Sequence, residues 1–283
     1  PPQPNALDAH AGPQASSQSN QAINLPPNLQ LLPLNTMAMI KSPALRGGNT
    51  VPLDTRSFTI GQLMNMSIEQ SEAFVYPRMY ALHNLATLPD AGTLLDTSTS
   101  SKMAPQGAKC VAVSHAIAHP AVAAGSKELP QKSCVMPPQV GLSAAALTSD
   151  GAFLLDNGMG LFLWFGRAIN PNVIQELFGI PGLEGIDTTQ LRLNPPGHNA
   201  LCDRVNNIVA ACRSRRPTFS PLSVIQEGGA ADAQFFTFLV EDRANFAEGA
   251  VTYQEFLQTV QRPSGMGSMP GGHGMIPPSQ QRR

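Results

Sequence analysis

Apolar positions are densest and most regular between residues 147 and 257, where one element signal follows another without a gap. Residues 152–155 and 160–165 are short apolar runs typical of strands. Between them stands Asp156-Asn157-Gly158, and Asn-Gly is a strong hairpin signal because both residues tolerate a positive φ. The pattern therefore predicts an antiparallel hairpin at the start of this region.

Helical signals follow the hairpin. Asn170 is placed to cap a short helix that has Pro171 at its first position and Gly179 just past its end. Asn199 then starts a longer predicted helix, with Pro217 beyond its end. Its apolar stripe recurs at helical spacing and consists of Leu201, Val205, Ile208, Val209 and Cys212.

Two further strands and a last helix complete the region. Residues 222–226 and 235–240 are predicted strands, and Thr252 with Glu255 three residues later forms a capping box. The helix that this box opens places its apolar residues on one side, namely Tyr253, Phe256, Leu257 and Val260. The order ββααββα predicts an α+β fold in which helices cover one sheet.

Upstream of residue 88 the pattern is mainly helical. Helical spacing of apolar residues predicts a helix from about 30 to 41, with Pro33 tolerated in its first turn. A second helix is predicted from about 55 to 66, with Asp54 as its N-cap. Its expected apolar positions are Phe58, Leu63 and Met66.

A short third helix and an extended segment follow. Ser67, with Gln70 three residues later, resembles a capping box. Residues 74–85 are rich in aromatic and aliphatic side chains, but Pro77 interrupts them. We therefore expect this segment to be extended or to form an edge strand.

Composition limits how much of the chain can build a core. The 283 residues include 26 Pro and 24 Gly, with 6% aromatic and 13% charged residues. We predict disorder at 1–23 and in the tail 262–283, and a linker or insertion at 88–137. The ordered ranges are then a helical block at 24–87, expected to be poorly stable alone, and a domain at 138–261, expected to fold by itself.

Charge and motifs exclude several functional classes. The formal net charge of −1 gives no electrostatic case for nucleic acid as a partner. The longest apolar-looking run, residues 111–124, is interrupted and falls short of the roughly 20 residues of a membrane span. No signal peptide is recognisable, and the first residue is not Met, which suggests a fragment or a processed product.

Cysteine spacing argues against a zinc ribbon. The four cysteines lack any C-x-x-C pair, so we expect reduced thiols and a cytosolic location. They are Cys110, Cys134, Cys202 and Cys212.

Acidic and histidine pairs have structural explanations. Glu241 and Asp242 are adjacent, and neighbouring residues of a predicted strand point to opposite faces, so we interpret them as a solvated strand end. His115 and His119 have the i, i+4 spacing of a metal pair, but no Glu or Cys supports them and Pro120 follows directly. We interpret that segment as an insertion without a ligand.

The sequence does not support a calcium site at the hairpin turn or a nucleophilic role for the serines. Asp156-Asn157-Gly158 could offer oxygen ligands to calcium, but one carboxylate is too few for a cation that takes six or more oxygens. Ser149 and Ser223 lack a His/Asp arrangement that would make them nucleophiles. We therefore predict no catalytic, cofactor-binding or metal-binding residue, no cofactor, and a chain that is not an enzyme.

One basic cluster and the single tryptophan complete the candidates. Arg213, Arg215 and Arg216 lie where the helix dipole favours cations, and the alternative is a weak contact with anionic lipid head groups. Trp164, on the second predicted strand, is interpreted as core or half-buried surface rather than a ligand platform.

Two blocks of sequence, taken in order, resemble a known family. The first block is Leu29-Gln-Leu-Leu-Pro-Leu-Asn-Thr-Met-Ala-Met-Ile-Lys-Ser-Pro-Ala-Leu-Arg46, followed by Tyr76-Pro-Arg-Met-Tyr-Ala-Leu-His83. The second comprises Leu154-Leu-Asp-Asn-Gly158, Leu163-Trp-Phe-Gly166, Leu239-Val-Glu-Asp242 and Tyr253-Gln-Glu-Phe-Leu257. Together they resemble the C-terminal third of the cargo-selecting inner-coat subunit of COPII, the Sec24 family. The resemblance covers the end of the family's helical domain and its gelsolin-like domain, at about residues 24–87 and 138–261.

The resemblance implies a non-catalytic cargo adaptor in transport from the endoplasmic reticulum to the Golgi. Its implied partners are other COPII coat subunits and the cytosolic sorting signals of membrane cargo, with peripheral contact at the cytosolic face of the endoplasmic reticulum. The family's zinc finger, trunk domain and β-sandwich have no counterpart in this sequence. The structural zinc and the cargo-binding residues of the family are therefore not carried over.

An actin-binding protein of the gelsolin family is the alternative. The helical block upstream and the presence of one gelsolin-like unit argue against it.

Overall fold

A computed structural model describes residues 25–46, 51–96, 109–113, 132–243 and 251–261. Three helices come first: α1 (Leu32–Lys41), α2 (Leu53–Asn65) and α3 (Ile68–Val75). The predicted helix at 30–41 is confirmed, with Pro33 in its first turn and Met37 and Ala38 buried.

The second helix differs from its prediction at the N-terminus. Helix α2 begins at Leu53 after Pro52, so Asp54 lies in its first turn and is not the N-cap. Phe58 is 63% exposed, and the buried residue of this helix is Thr59. The apolar residues of α2 therefore do not mark the side that packs.

Ser67 caps α3 as predicted, since its hydroxyl accepts from the backbone N–H of Gln70 at 3.3 Å. The side chain of Gln70 does not complete the box, because it donates instead to a carbonyl of the hairpin.

Eight strands form two sheets among the described residues. In chain order they are β1 (Arg78–Ala81), β2 (Leu94–Asp96), β3 (Cys110–Val113), β4 (Lys132–Val135), β5 (Gln139–Val140), β6 (Ala152–Asp156), β7 (Leu161–Phe165) and β8 (Leu222–Gln226). The larger sheet has the order β5-β1-β6-β7-β8. All its pairs are antiparallel except β7 with β8, which is parallel.

Strand β1 corrects the expectation for residues 74–85. It lies inside the sheet between β5 and β6, with Tyr80 opposite Leu154, and is not an edge strand. Pro77 precedes the strand and takes none of its hydrogen-bonding positions. One strand of the sheet thus comes from the range 24–87, for which the sequence predicts a helical block.

The predicted linker or insertion at 88–137 contains a small antiparallel sheet of order β2-β4-β3. Its strands β3 and β4 pack against a long helix of the following region.

The described residues of the second half of the chain form four more helices: α4 (Pro171–Phe178), α5 (Ala200–Ser214), α6 (Asp232–Phe236) and α7 (Tyr253–Gln261). The predicted caps at Asn170 and Asn199 are confirmed, and Gly179 ends α4 with a φ of 74°. The predicted strand at 235–240 is wrong. Its start belongs to α6, which contains the buried Phe235, and a turn follows in which Leu239 is also buried.

Side chains are buried on both faces of the large sheet. On one face, Leu154 and Leu163 pack with α4, α5 and the small sheet. On the other, Phe153 and Trp164 pack with Phe235 and Leu239. Every residue of β6 is buried, so this strand forms the centre of the α+β fold.

Candidate protein-binding groove

Helices α1 and α3 are fixed to the sheet-bearing part by side-chain contacts. At the end of α1, Lys41 Nζ donates to the carbonyl oxygens of Val240 at 2.7 Å and Asp242 at 2.8 Å. From α3, Gln70 Nε2 donates to the carbonyl of Gly158 at 3.0 Å in a buried position. The two helices are therefore held at two separate points, the 240–242 segment and the hairpin.

The acidic pair is not a solvated strand end, contrary to the sequence-based interpretation. Glu241 Oε1 accepts from the Tyr76 hydroxyl at 2.5 Å and from the backbone N–H of Leu142 at 2.8 Å. Asp242 accepts from the Ser143 hydroxyl at 2.6 Å and from the next backbone amide at 2.6 Å. Both carboxylates thus anchor loops, because the segment that carries them is a turn and not a strand.

Burial shifts the pKa values of two groups at the junction between the helices and the segment 240–242. Desolvation, followed by the hydrogen bond to Glu241, raises the pKa of Tyr76. Desolvation also lowers the pKa of Lys41, while the nearby carboxylates of Asp242, Glu255 and Glu241 oppose that shift. The junction therefore pairs a partly buried cation with several acids.

An apolar groove of about 660 Å³ opens between α1, the end of α3 and the segment 233–243. That volume lies within the range of about 300–1,000 Å³ that is common for ligand pockets. Phe236 is 40% exposed at this groove. The main apolar lining residues are Phe74, Val75, Pro77, Phe236, Phe238 and Val240.

Charged groups at the rim of the groove are engaged with protein partners. Arg46 donates from Nε and Nη2 to the carbonyl of Lys41, at 3.2 and 2.7 Å. Arg243 forms an ion pair with Glu255. A groove of this kind suits an apolar peptide better than a charged small molecule.

The hairpin carries a buried ion pair that the sequence did not reveal. Asp156 and Arg216 are 0% and 7% exposed, and Arg216 Nη2 pairs with Asp156 Oδ1. The Arg216 Nη1 atom donates to the Ser220 hydroxyl at 2.9 Å, and the same aspartate oxygen accepts the Gly158 N–H at 3.0 Å. These residues are 60 positions apart in sequence, so local patterns carry no signal of their contact.

The basic cluster therefore has structural roles in part. Arg216 is buried in the ion pair, and Arg213 Nε donates to the Ser220 carbonyl at 3.0 Å. The Arg213 guanidinium also lies 4.7 Å from the centroid of the Phe219 ring. Arg215, which is half-buried, is the member for which contact with anionic lipid stays a prediction.

The remaining candidates lie apart from one another. Trp164 is buried as predicted, and its Nε1 donates to Asp232 Oδ1 at 2.8 Å. The Ser149 hydroxyl donates to Glu227 Oε1 at 3.2 Å, and Ser223 is exposed on β8. His115 and His119 lie outside the described residues. That the chain has no catalytic residue stays a prediction.

Within the described ranges, no group of three or more His, Cys, Asp or Glu side chains could hold a metal ion. Of the helices in those ranges, none has the length and apolar character to cross a bilayer. That the chain uses no cofactor remains an expectation.

Two family models match the chain, in the order of its two parts. The Sec23/Sec24 helical domain matches residues 5–72, and the gelsolin repeat matches residues 133–201. These matches cover the region of α1 to α3 and the region of the central hairpin.

Curated relatives extend the match over most of the chain. The protein transport protein SEC24 of Yarrowia lipolytica is 30% identical over 82% of this chain and 21% of that protein. Human protein transport protein Sec24B is 27% identical over 89% of this chain and 17% of its own length. The chain spans about a fifth of the length of these relatives.

A solved structure shares the fold. The crystal structure of the human COPII-coat protein Sec24c matches with a TM-score of 0.55 and 24% identity, over 83% of this chain and 24% of that one. Together with the two domain types in their order, these matches show that the chain belongs to the Sec24 family, as a segment with helical and gelsolin-like parts.

Proposed function

We propose that this chain is a non-catalytic segment of a COPII cargo adaptor, acting in transport from the endoplasmic reticulum to the Golgi. Its site of action would be the cytosolic face of the endoplasmic reticulum and COPII-coated vesicles. The observation that carries the proposal is the docking of the helical segments on the gelsolin-like sheet. Lys41, Gln70 and Tyr76 make that contact, and the two parts have the order of the family models.

The partners proposed are other COPII coat subunits and cytosolic sorting signals of membrane cargo, with peripheral membrane contact and no nucleic acid. The groove beside α1 supports a peptide partner, because its lining is apolar and its rim charges are engaged. No cofactor is needed for such a role.

A chimera tests this proposal. Residues 25–261 of this chain would replace the matching segment of the Yarrowia lipolytica relative, and export of a secreted reporter from the endoplasmic reticulum would be measured. We expect export well above that of the same relative with the segment deleted. A matched chimera with Gly158→Val, which disturbs the seat of α3, should lose most of the gain. Export no better than that of the deletion would overturn the proposal.

An actin-binding role is the second candidate, and the gelsolin-repeat match at residues 133–201 is the observation that favours it. Co-sedimentation with filamentous actin, with and without calcium, separates the two. The coat proposal expects the chain to stay in the supernatant under both conditions. Strong calcium-dependent pelleting would favour the actin-binding role.

A further inference from the structure

The groove beside α1 combines an apolar lining with a rim in which each charge has a partner. Lys41 donates to two backbone carbonyls, and Arg243 is paired with Glu255. Asp242 accepts from the Ser143 hydroxyl. A charged occupant would have to break these contacts or bring its charge into an apolar site, so the groove favours an uncharged apolar segment.

The C-terminal segment of this chain has that chemistry. Residues 263–281 include no Asp, Glu, Lys or Arg. Their large apolar side chains are Met266, Met269, Met275 and Ile276. Methionine is unbranched and adaptable, so it fits irregular apolar grooves lined by aromatic rings.

The same segment starts close to the groove. It follows α7, which contacts α1, and α1 forms one wall of the groove. The backbone N–H of Tyr253, at the start of α7, donates to the Glu241 carbonyl at 3.2 Å, next to the groove residue Asp242. Helix α7 has nine residues and is about 13 Å long. Residues 263–281 therefore start within about 20 Å of the groove.

Chain length does not limit the contact. The 13 residues from Pro263 to Met275, taken as a flexible Gly-rich linker, would have a root-mean-square span of about 20 Å, which matches the distance to be covered. Such a tether gives an effective concentration in the millimolar range, so even a weak apolar contact would be populated.

We propose that residues 263–281 bind in the groove beside α1 of the same molecule, with Met275 and Ile276 as the anchors. In that position they exclude other apolar peptides, so a partner has to displace them. This contact does not depend on the proposed role in a coat.

Photo-crosslinking in the full-length chain tests the proposal. A photoreactive phenylalanine analogue would replace Phe236, and a matched control would carry the same analogue at Phe219. Phe219 is 75% exposed and lies outside the groove. After irradiation, mass spectrometry identifies the crosslinked residues. We expect crosslinks from position 236 into residues 263–281, and at least about tenfold fewer from position 219.

Two further measurements test which residues anchor the segment and whether it belongs to the same molecule as the groove. The double variant Met275→Ser/Ile276→Ser should reduce the crosslink from position 236 by about tenfold or more, because two buried apolar contacts are lost. A mixture of isotopically heavy and light chains should give crosslinks within one isotope only. Mixed-isotope products, which would mean a second copy, would overturn the proposal. Crosslinks that miss 263–281, or that survive the double variant, would do so as well.

Discussion

Arg216 and Asp156 join two segments that are distant in sequence, the residues just after α5 and the end of β6. Each is almost fully buried, so water does not compensate either charge. Removing one partner of such a pair leaves an uncompensated buried charge, which costs about 3–5 kcal/mol.

We therefore expect Arg216→Met to lower the free energy of unfolding by about 3–5 kcal/mol, measured by chemical denaturation. The double variant Asp156→Leu/Arg216→Met should recover part of that loss, since no lone charge remains buried. Arg215→Met is the matched control, because Arg215 is half-buried at the same helix end, and we expect a change below about 1 kcal/mol. Equal effects at positions 215 and 216 would contradict a structural role for the ion pair.

Buried thiols predict a loss of stability in alkali. Burial raises the pKa of Cys134 and of Cys212 to about 12 each. A thiol of the unfolded chain titrates near 8.5–9, so the unfolded state loses its protons first as the pH rises. The stabilisation is complete below about pH 8.5 and is lost between there and about pH 12.

Chemical denaturation at several pH values checks this. The free energy of unfolding should fall by up to about 1.4 kcal/mol per pH unit for each buried thiol in that window. Cys212→Ala should make the fall less steep, whereas Cys110→Ala should leave it unchanged because Cys110 is exposed. The thiol explanation fails if both variants give the slope of the parent chain.

The hairpin between β6 and β7 supports α3. Gly158 has a φ of 81°, and a Cβ there would lie 2.6 Å from the Gln70 carbonyl oxygen and 2.8 Å from the Phe74 backbone nitrogen. Only glycine fits this approach, because the clashing atoms belong to the backbone of α3.

We expect Gly158→Val to lower the free energy of unfolding by about 2–5 kcal/mol, from backbone strain together with overpacking. Hydrogen exchange should become faster mainly in the amides of α3. Gly61→Ala is the control, because nothing lies within 4 Å of a Cβ there, and it should raise stability by about 0.5–1 kcal/mol. Unchanged exchange in α3 would mean that the hairpin does not hold this helix.

Local signals predicted the elements well where one residue decides a boundary. Ser67, Asn170 and Asn199 each accept the backbone N–H that a cap should accept. Thr252 and Glu255 also bond to each other's backbone N–H groups, at 2.7 and 3.3 Å. These contacts span two or three residues, so the spacing of residue types in the sequence is enough to predict them.

Sequence patterns gave wrong predictions where tertiary packing determines the local structure. Residues 235–240 have a β-rich composition, yet burial of Phe235 and Leu239 against the sheet favours a helical turn. The groove could not be predicted from local sequence either, because its walls come from α1 and from residues about 200 positions later. The family resemblance implied a type of partner, but it pointed to no residue of the groove.

Strand β1 determines which fragment of the chain can fold. The strand lies between β5 and β6, so a fragment that starts at residue 138 leaves β5 unpaired and opens the edge of β6 that faces away from β7. Residues 138–261 should then not fold by themselves, whereas residues 76–261 restore the sheet.

Fluorescence of Trp164, the one tryptophan, reports the outcome for both fragments. We expect the emission of a buried indole and a cooperative unfolding transition for residues 76–261. For residues 138–261 we expect red-shifted emission without a transition. Tyr80→Pro in the longer fragment is the control, because proline is not tolerated within a central strand. A cooperative transition in the shorter fragment would show that β1 is dispensable.

The central position of β1 also determines when the sheet can form during synthesis of the chain. Tyr80 pairs with Leu154, so β1 leaves the ribosome about 75 residues before the strand that completes its pairing. At about 5–20 residues per second, that delay is roughly 4–15 s. During this interval α3 has emerged without the hairpin that holds it, so Ala73 and Val75, which are buried in the folded structure, are not yet covered. We therefore expect the nascent chain to be a substrate for chaperones over that interval, and its yield to depend on the speed of translation between residues 81 and 156.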